Sequence, residues 1–71
     1  MNKTPLNKKN APQILIVDDE PEMRNILTEV LTMHQCMPSE ASKATEAMVH
    51  MEKYRVDLVL LDIHMQGASG V

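Results

Sequence analysis

The chain has 71 residues, a formal charge of -3 and 44% hydrophobic residues, with Tyr54 its one aromatic and Cys36 its one cysteine. That allows a single small domain with a core of Leu, Ile, Val, Met and Ala, and it excludes a disulfide framework. No run has the length of a transmembrane helix, nothing resembles a signal peptide, and the mild acidity argues against nucleic-acid binding by this segment. A lone cysteine, read as a buried filler and not as a nucleophile, fits a reducing compartment, so the expected location is cytoplasmic, with no membrane partner.

Residues 1–12 are polar, carry Lys3, Lys8 and Lys9, and include Pro5 and Pro12. They read as a flexible leader ahead of a domain spanning residues 13–71. A first strand is expected around Gln13 to Val17. Its run Ile14-Leu15-Ile16-Val17 is continuous and β-branched, as in a parallel strand buried on both faces. Helix 1 follows, with Pro21 at its first position and Asp19 or Glu20 as cap. Met23, Ile26, Leu27, Val30 and Leu31 repeat at helical spacing and form its inner stripe, with Thr28 and Glu29 on the wet side. The helix is expected to end near Met33.

The stretch Cys36-Met37-Pro38-Ser39-Glu40-Ala41 is a weaker strand candidate, and Pro38 restricts it to a sheet edge. Ser42 is the expected cap of helix 2, whose inner stripe is Ala44, Ala47, Met48 and Met51. His34 and His50 are expected on the surface. Strand 3 runs Leu58-Val59-Leu60-Leu61, and Gly67 and Gly70 mark a loop beyond it.

The order is β-α-β-α-β. Right-handed crossovers place helices on both faces of a parallel sheet. Strand 2 outside strand 1, and strand 3 on its other side, begin a flavodoxin-like doubly wound α/β fold with partial strand order 2-1-3. Sites in such sheets lie beyond the carboxyl ends of the strands. Asp18 and Asp19 close strand 1 and Asp62 closes strand 3, so three carboxylates meet at one edge. Packed like charges need a proton or a cation, and oxygen-only ligands suit Mg²⁺. The alternative is a set of solvated strand-end acids. Glu20 is as well explained by its place near a helix start, where the dipole favours negative charge.

Ile14-Leu15-Ile16-Val17-Asp18-Asp19-Glu20-Pro21 resembles the opening of a bacterial response-regulator receiver domain. Asp57-Leu58-Val59-Leu60-Leu61-Asp62-Ile63-His64-Met65 resembles that family's phosphorylation-site strand, and Ala41-Ser42-Lys43-Ala44-Thr45-Glu46-Ala47-Met48 resembles its entry to helix 2. The likeness covers residues 13–71. It implies a two-component phosphorelay role in which Asp62 takes a phosphoryl group from a phosphohistidine on a sensor histidine kinase or phosphotransfer protein. It also implies Mg²⁺ held directly by Asp19 and Asp62, through water by Asp18, and by the backbone carbonyl of His64. The role implied is that of a phosphoacceptor and not of an enzyme.

Departures from the family accompany the likeness. A full receiver has five βα units, and these 71 residues hold three strands. The family's Ser or Thr after strand 4 and Lys after strand 5 have no counterpart among them, so the chain is expected to be a truncated receiver. Gln66 stands where the family usually has proline, and Pro38 and Cys36 replace apolar or aromatic residues. Strand 3 would then be an exposed apolar edge, inviting self-association or partial unfolding of the chain. A pseudo-receiver or interaction module that no longer accepts phosphate is the alternative reading. A phosphatase of the haloacid-dehalogenase type is a further one, but it requires an acid two residues after the nucleophile, where this chain has His64.

Overall fold

A computed structural model describes residues 11–62. Residues 1–10 of the expected leader, and the calls on His64, Met65, Gln66, Gly67 and Gly70, lie outside the described residues. Five elements follow one another: β1 (Gln13–Val17), α1 (Pro21–Met33), β2 (Met37–Ala41), α2 (Ala44–Lys53) and β3 (Leu58–Leu61). The three strands form one parallel sheet in the order β2-β1-β3. This is the partial flavodoxin-like arrangement that the alternation of short apolar runs and helical stripes predicts.

β1 is the middle strand because it is apolar at four successive positions, and it is the strand most shielded from water. Among the described residues, Leu15, Ile16 and Val17 are the large side chains that are fully buried. Register divides their neighbours between the two faces of the sheet. Ile14 and Ile16 pair with Pro38 and Glu40 on one side and with Leu58 and Leu60 on the other, and this is the face over which α1 lies. Leu15 and Val17 belong to the opposite face, where they cluster with Ala41 of β2, Ala47 of α2 and the half-buried Val56. Ordered packing starts before β1: Ala11 is buried, and the Pro12 carbonyl accepts the Met37 N–H at 2.8 Å. Pro38 sits in β2, an edge strand among the described residues, where a missing N–H costs least.

Several side chains lie elsewhere than the sequence suggests. No residue of α1 is buried: Leu27 and Leu31 are half-buried, whereas Met23, Ile26 and Val30 of the expected stripe are exposed. Thr28, expected on the wet side, is half-buried and donates its hydroxyl to Glu40 Oε2. The helix is rolled so that Arg24 and Thr28 meet β2, because Glu40 offers their polar groups partners there. On α2 only Ala47 is buried, and Met48 and Met51 are exposed. His50 is half-buried, with its ring centroid 4.8 Å from that of Tyr54. Cys36 is half-buried just ahead of β2, not a core filler. β3 is apolar but mostly exposed, with Leu58 at 52% and Leu61 at 58%.

The caps also differ in detail. Glu20 is the N-cap residue of α1, but it makes no side-chain cap bond. Lys43, not Ser42, occupies the N-cap of α2. Ser42 acts one position earlier, where both its N–H and its hydroxyl donate to Glu46 Oε1, at 2.9 and 3.0 Å. The Glu46 carboxylate thus reaches back over the first turn as in a capping box, displaced by one residue.

Candidate metal centre

The register of the sheet assembles the site. Val17 is paired with Ala41 on one side and Leu61 on the other. One residue further on, the Asp18 N–H donates to the Ala41 carbonyl at 3.1 Å, and the Asp62 N–H donates to the Val17 carbonyl at 3.0 Å. Both acids therefore leave the sheet from backbone that is still hydrogen-bonded, side by side at its carboxyl edge. Asp19 follows directly in the β1–α1 loop. One oxygen from each of Asp18, Asp19 and Asp62 falls in a group whose members all lie within 4.8 Å of one another.

Asp18 is the buried member, at 5% exposure, Asp62 is half-buried, and Asp19 is the most open to water of the three. Its Oδ1 accepts the Glu20 N–H at 2.9 Å, which closes the turn into α1 and orients the carboxylate. Two carboxylates at about 5 Å repel by roughly 3 kcal/mol at an effective dielectric near 20. Three acids gathered by the fold at such a distance are a poor device for stability and a good one for a small hard cation. Every donor is oxygen, and Mg²⁺, which retains several waters, needs few protein ligands. The residues present fit that ion. Beside them lies a groove of about 290 Å³, lined by Ile16, Met23, Leu27 and Leu60 together with Asp18 and Asp62.

Arg24 did not figure among the residues singled out from the sequence. Its Nη1–H donates to the backbone carbonyl of Asp18 at 2.7 Å, and its Nε–H donates to Glu40 Oε1 at 3.0 Å. The signal available in the sequence was its place: Met23, Arg24, Leu27 and Leu31 share one side of α1, and a charge among apolar neighbours calls for a partner.

A parallel sheet flanked by helices, with acids gathered beyond the carboxyl ends of its middle and third strands, defines an α/β protein with its site where such folds place one. A sequence model of the response regulator receiver domain matches residues 14–71. The chain belongs to the response regulator receiver domain family. It is 39% identical over 61 residues to a chemotaxis protein, CheY, of Halobacterium salinarum, covering 86% of this chain and 51% of that protein. It is 31% identical over 71 residues to the transcriptional regulatory protein BaeR of Escherichia coli, covering 100% of this chain and 29% of that one. It is also similar, at 34% identity over 71 residues, to the CAI-1 autoinducer sensor kinase/phosphatase CqsS of Vibrio cholerae, covering 99% of this chain and 10% of the relative. The chain thus spans about half the length of the chemotaxis protein and less of the other two. No solved structure gives a significant match. Among the described residues, no helix is long and apolar enough to cross a membrane.

Proposed function

We propose that this chain is the phosphoacceptor part of a two-component phosphorelay, with Asp62 as the acceptor and Mg²⁺ as the cofactor. The observation that carries the reading is the convergence of Asp18, Asp19 and Asp62 at one sheet edge, in a chain of the receiver family. In the step proposed, a carboxylate oxygen of Asp62 attacks the phosphorus of a phosphohistidine on a sensor kinase or phosphotransfer protein. The P–O bond forms as the P–N bond breaks, and the electron pair goes to the imidazole nitrogen, which takes up a proton. Such transfer needs positioning and charge neutralisation more than covalent help from the protein. When bound, Mg²⁺ supplies the positive charge that lets an anionic carboxylate approach an anionic phosphoryl group.

Asp19 and Asp62 would hold the ion directly, Asp18 through water, and the His64 backbone carbonyl would complete the protein's share. Asp18, with one oxygen already engaged by the Glu20 N–H, suits the outer role. The chain's own task is thus to hold and orient, accepting the group without turnover of its own. The lone Cys36 supports a cytoplasmic setting, and the exposed β3 supports self-association through that strand.

Incubation of the 71-residue chain with Mg²⁺ and a small acyl phosphate tests this reading. The expected result is one added phosphoryl group by intact mass, labile to hydroxylamine, absent from Asp62→Asn and absent when the metal is chelated. Full labelling of Asp62→Asn would place the chemistry elsewhere. No labelling of the parent chain would favour a receiver-like interaction module.

A further inference from the structure

Arg24 joins three elements through a single planar group. Its guanidinium donates from Nη1 to the Asp18 carbonyl at 2.7 Å and from Nε to Glu40 Oε1 at 3.0 Å. The second oxygen of Glu40 accepts the Thr28 hydroxyl at 3.3 Å. The end of β1, the second turn of α1 and the body of β2 are thereby tied at one point. The Arg24 side chain is 18% exposed, so the link is partly shielded from competing water.

The carbonyl it grips is the one between two of the three clustered acids. A peptide group is planar, so fixing the Asp18 C=O fixes the Asp19 nitrogen and Cα in the same plane. The direction in which the Asp19 side chain leaves the loop is then left to the two backbone torsions of Asp19. From the other side, the Glu20 N–H is held by Asp18 Oδ1 at 2.9 Å. We propose that Arg24 is a positioning residue for the carboxylate cluster, acting through the Asp18 carbonyl and anchored by Glu40, so that Asp19 presents its carboxylate toward Asp62. This rests on the reading of the cluster as a divalent-cation site. The rigid fork is what the role requires. Lysine keeps the charge but is a point donor on a flexible stem, and it cannot hold both acceptors in this geometry.

Arg24→Lys separates position from charge. In the full chain, Mg²⁺ alone is titrated and followed by the amide resonances of Asp18, Asp19 and Asp62, and amide hydrogen exchange at Glu20 is measured without metal. The expected result is Mg²⁺ affinity about 10-fold weaker or more, of the order seen when a group supporting a metal ligand is removed. Glu20 exchange is expected to quicken, with the amides of Leu15 and Ile16 in β1 unchanged. Unchanged affinity together with unchanged Glu20 exchange would overturn the inference, and so would wild-type affinity in Arg24→Lys beside a loss in Arg24→Ala, since charge alone would then explain it. If the parent chain binds no Mg²⁺, the metal reading fails, and Glu20 exchange alone decides whether Arg24 holds the loop. Should Arg24→Lys fail to fold, Glu40→Ala, which removes the acceptor, carries the same test: faster Glu20 exchange upholds the anchor, and wild-type exchange overturns it.

Discussion

Asp18 is a carboxylate nearly removed from water, and its environment explains how the chain tolerates it: one oxygen is satisfied by the Glu20 N–H, and its own backbone is bonded on both sides. Glu46 shows the opposite case, an exposed acid tuned by hydrogen bonds. The Ser42 backbone N–H, and then the Ser42 hydroxyl, hold its carboxyl below the ordinary glutamate value, with desolvation opposing and the charges of Lys43 and Arg24 adding smaller favourable effects. A carboxyl lowered in the folded state stabilises fully above the unfolded value of about 4.3 and loses that contribution as pH falls through the lower folded value. Glu46→Gln is therefore expected to destabilise the chain at neutral pH, and the gap to the parent should close in acid. Urea unfolding at both pH values checks this, and a gap independent of pH would contradict it. The aspartates could be picked out from the sequence because strand-end acids need only the strand to be recognised. For Arg24 the sequence shows only that a charge among apolar neighbours wants a partner; which partners, a backbone carbonyl and Glu40, is settled only once the chain has folded.

The elements were more readable than their packing. Each strand and helix announces itself by local pattern: Pro21 opens α1, Pro38 confines β2 to an edge, and the run Leu58 to Leu61 is β3. Which side of a helix is covered depends on what lies across from it. The Arg24 and Thr28 bonds to Glu40 decide that for α1, leaving Ile26 and Val30 exposed. The end of α1 shows a further conflict between local preference and geometry. The Cys36 N–H reaches the Leu31 carbonyl at 2.9 Å and the Gln35 N–H reaches the Thr32 carbonyl at 3.1 Å, a Schellman closure that puts Gln35 at φ 62. That left-handed backbone favours glycine, and a residue with a Cβ loses about 1 kcal/mol there. Gln35→Gly is expected to raise the unfolding free energy by roughly that amount, and Gln35→Val to lower it. A shift of the urea midpoint in the same direction for both would refute the geometry.

Across the whole chain, shielding is uneven. β1 is covered on both faces and both edges, whereas β3 is exposed along most of its length. An apolar strand in that position is a template for pairing with another chain. The 71-residue chain is expected to show concentration-dependent association in sedimentation, reduced by Val59→Lys. A monomer at all concentrations, melting cooperatively, would exclude it. The central position of β1 also bears on the order of events during folding. Both of its neighbours are parallel, so each is reached through a crossover and neither ladder is local. Gln13 and Asp57, which pair at the foot of the second ladder, are 44 residues apart. Closing that loop is entropically costly and slow compared with forming either helix. Asp18 and Asp19 are neighbours from the moment of synthesis, but Asp62 joins them only when β3 has docked on β1. An ion that requires all three acids recognises the sheet only once β1 and β3 are paired and none of the earlier states, so it would retard unfolding and leave the folding rate untouched.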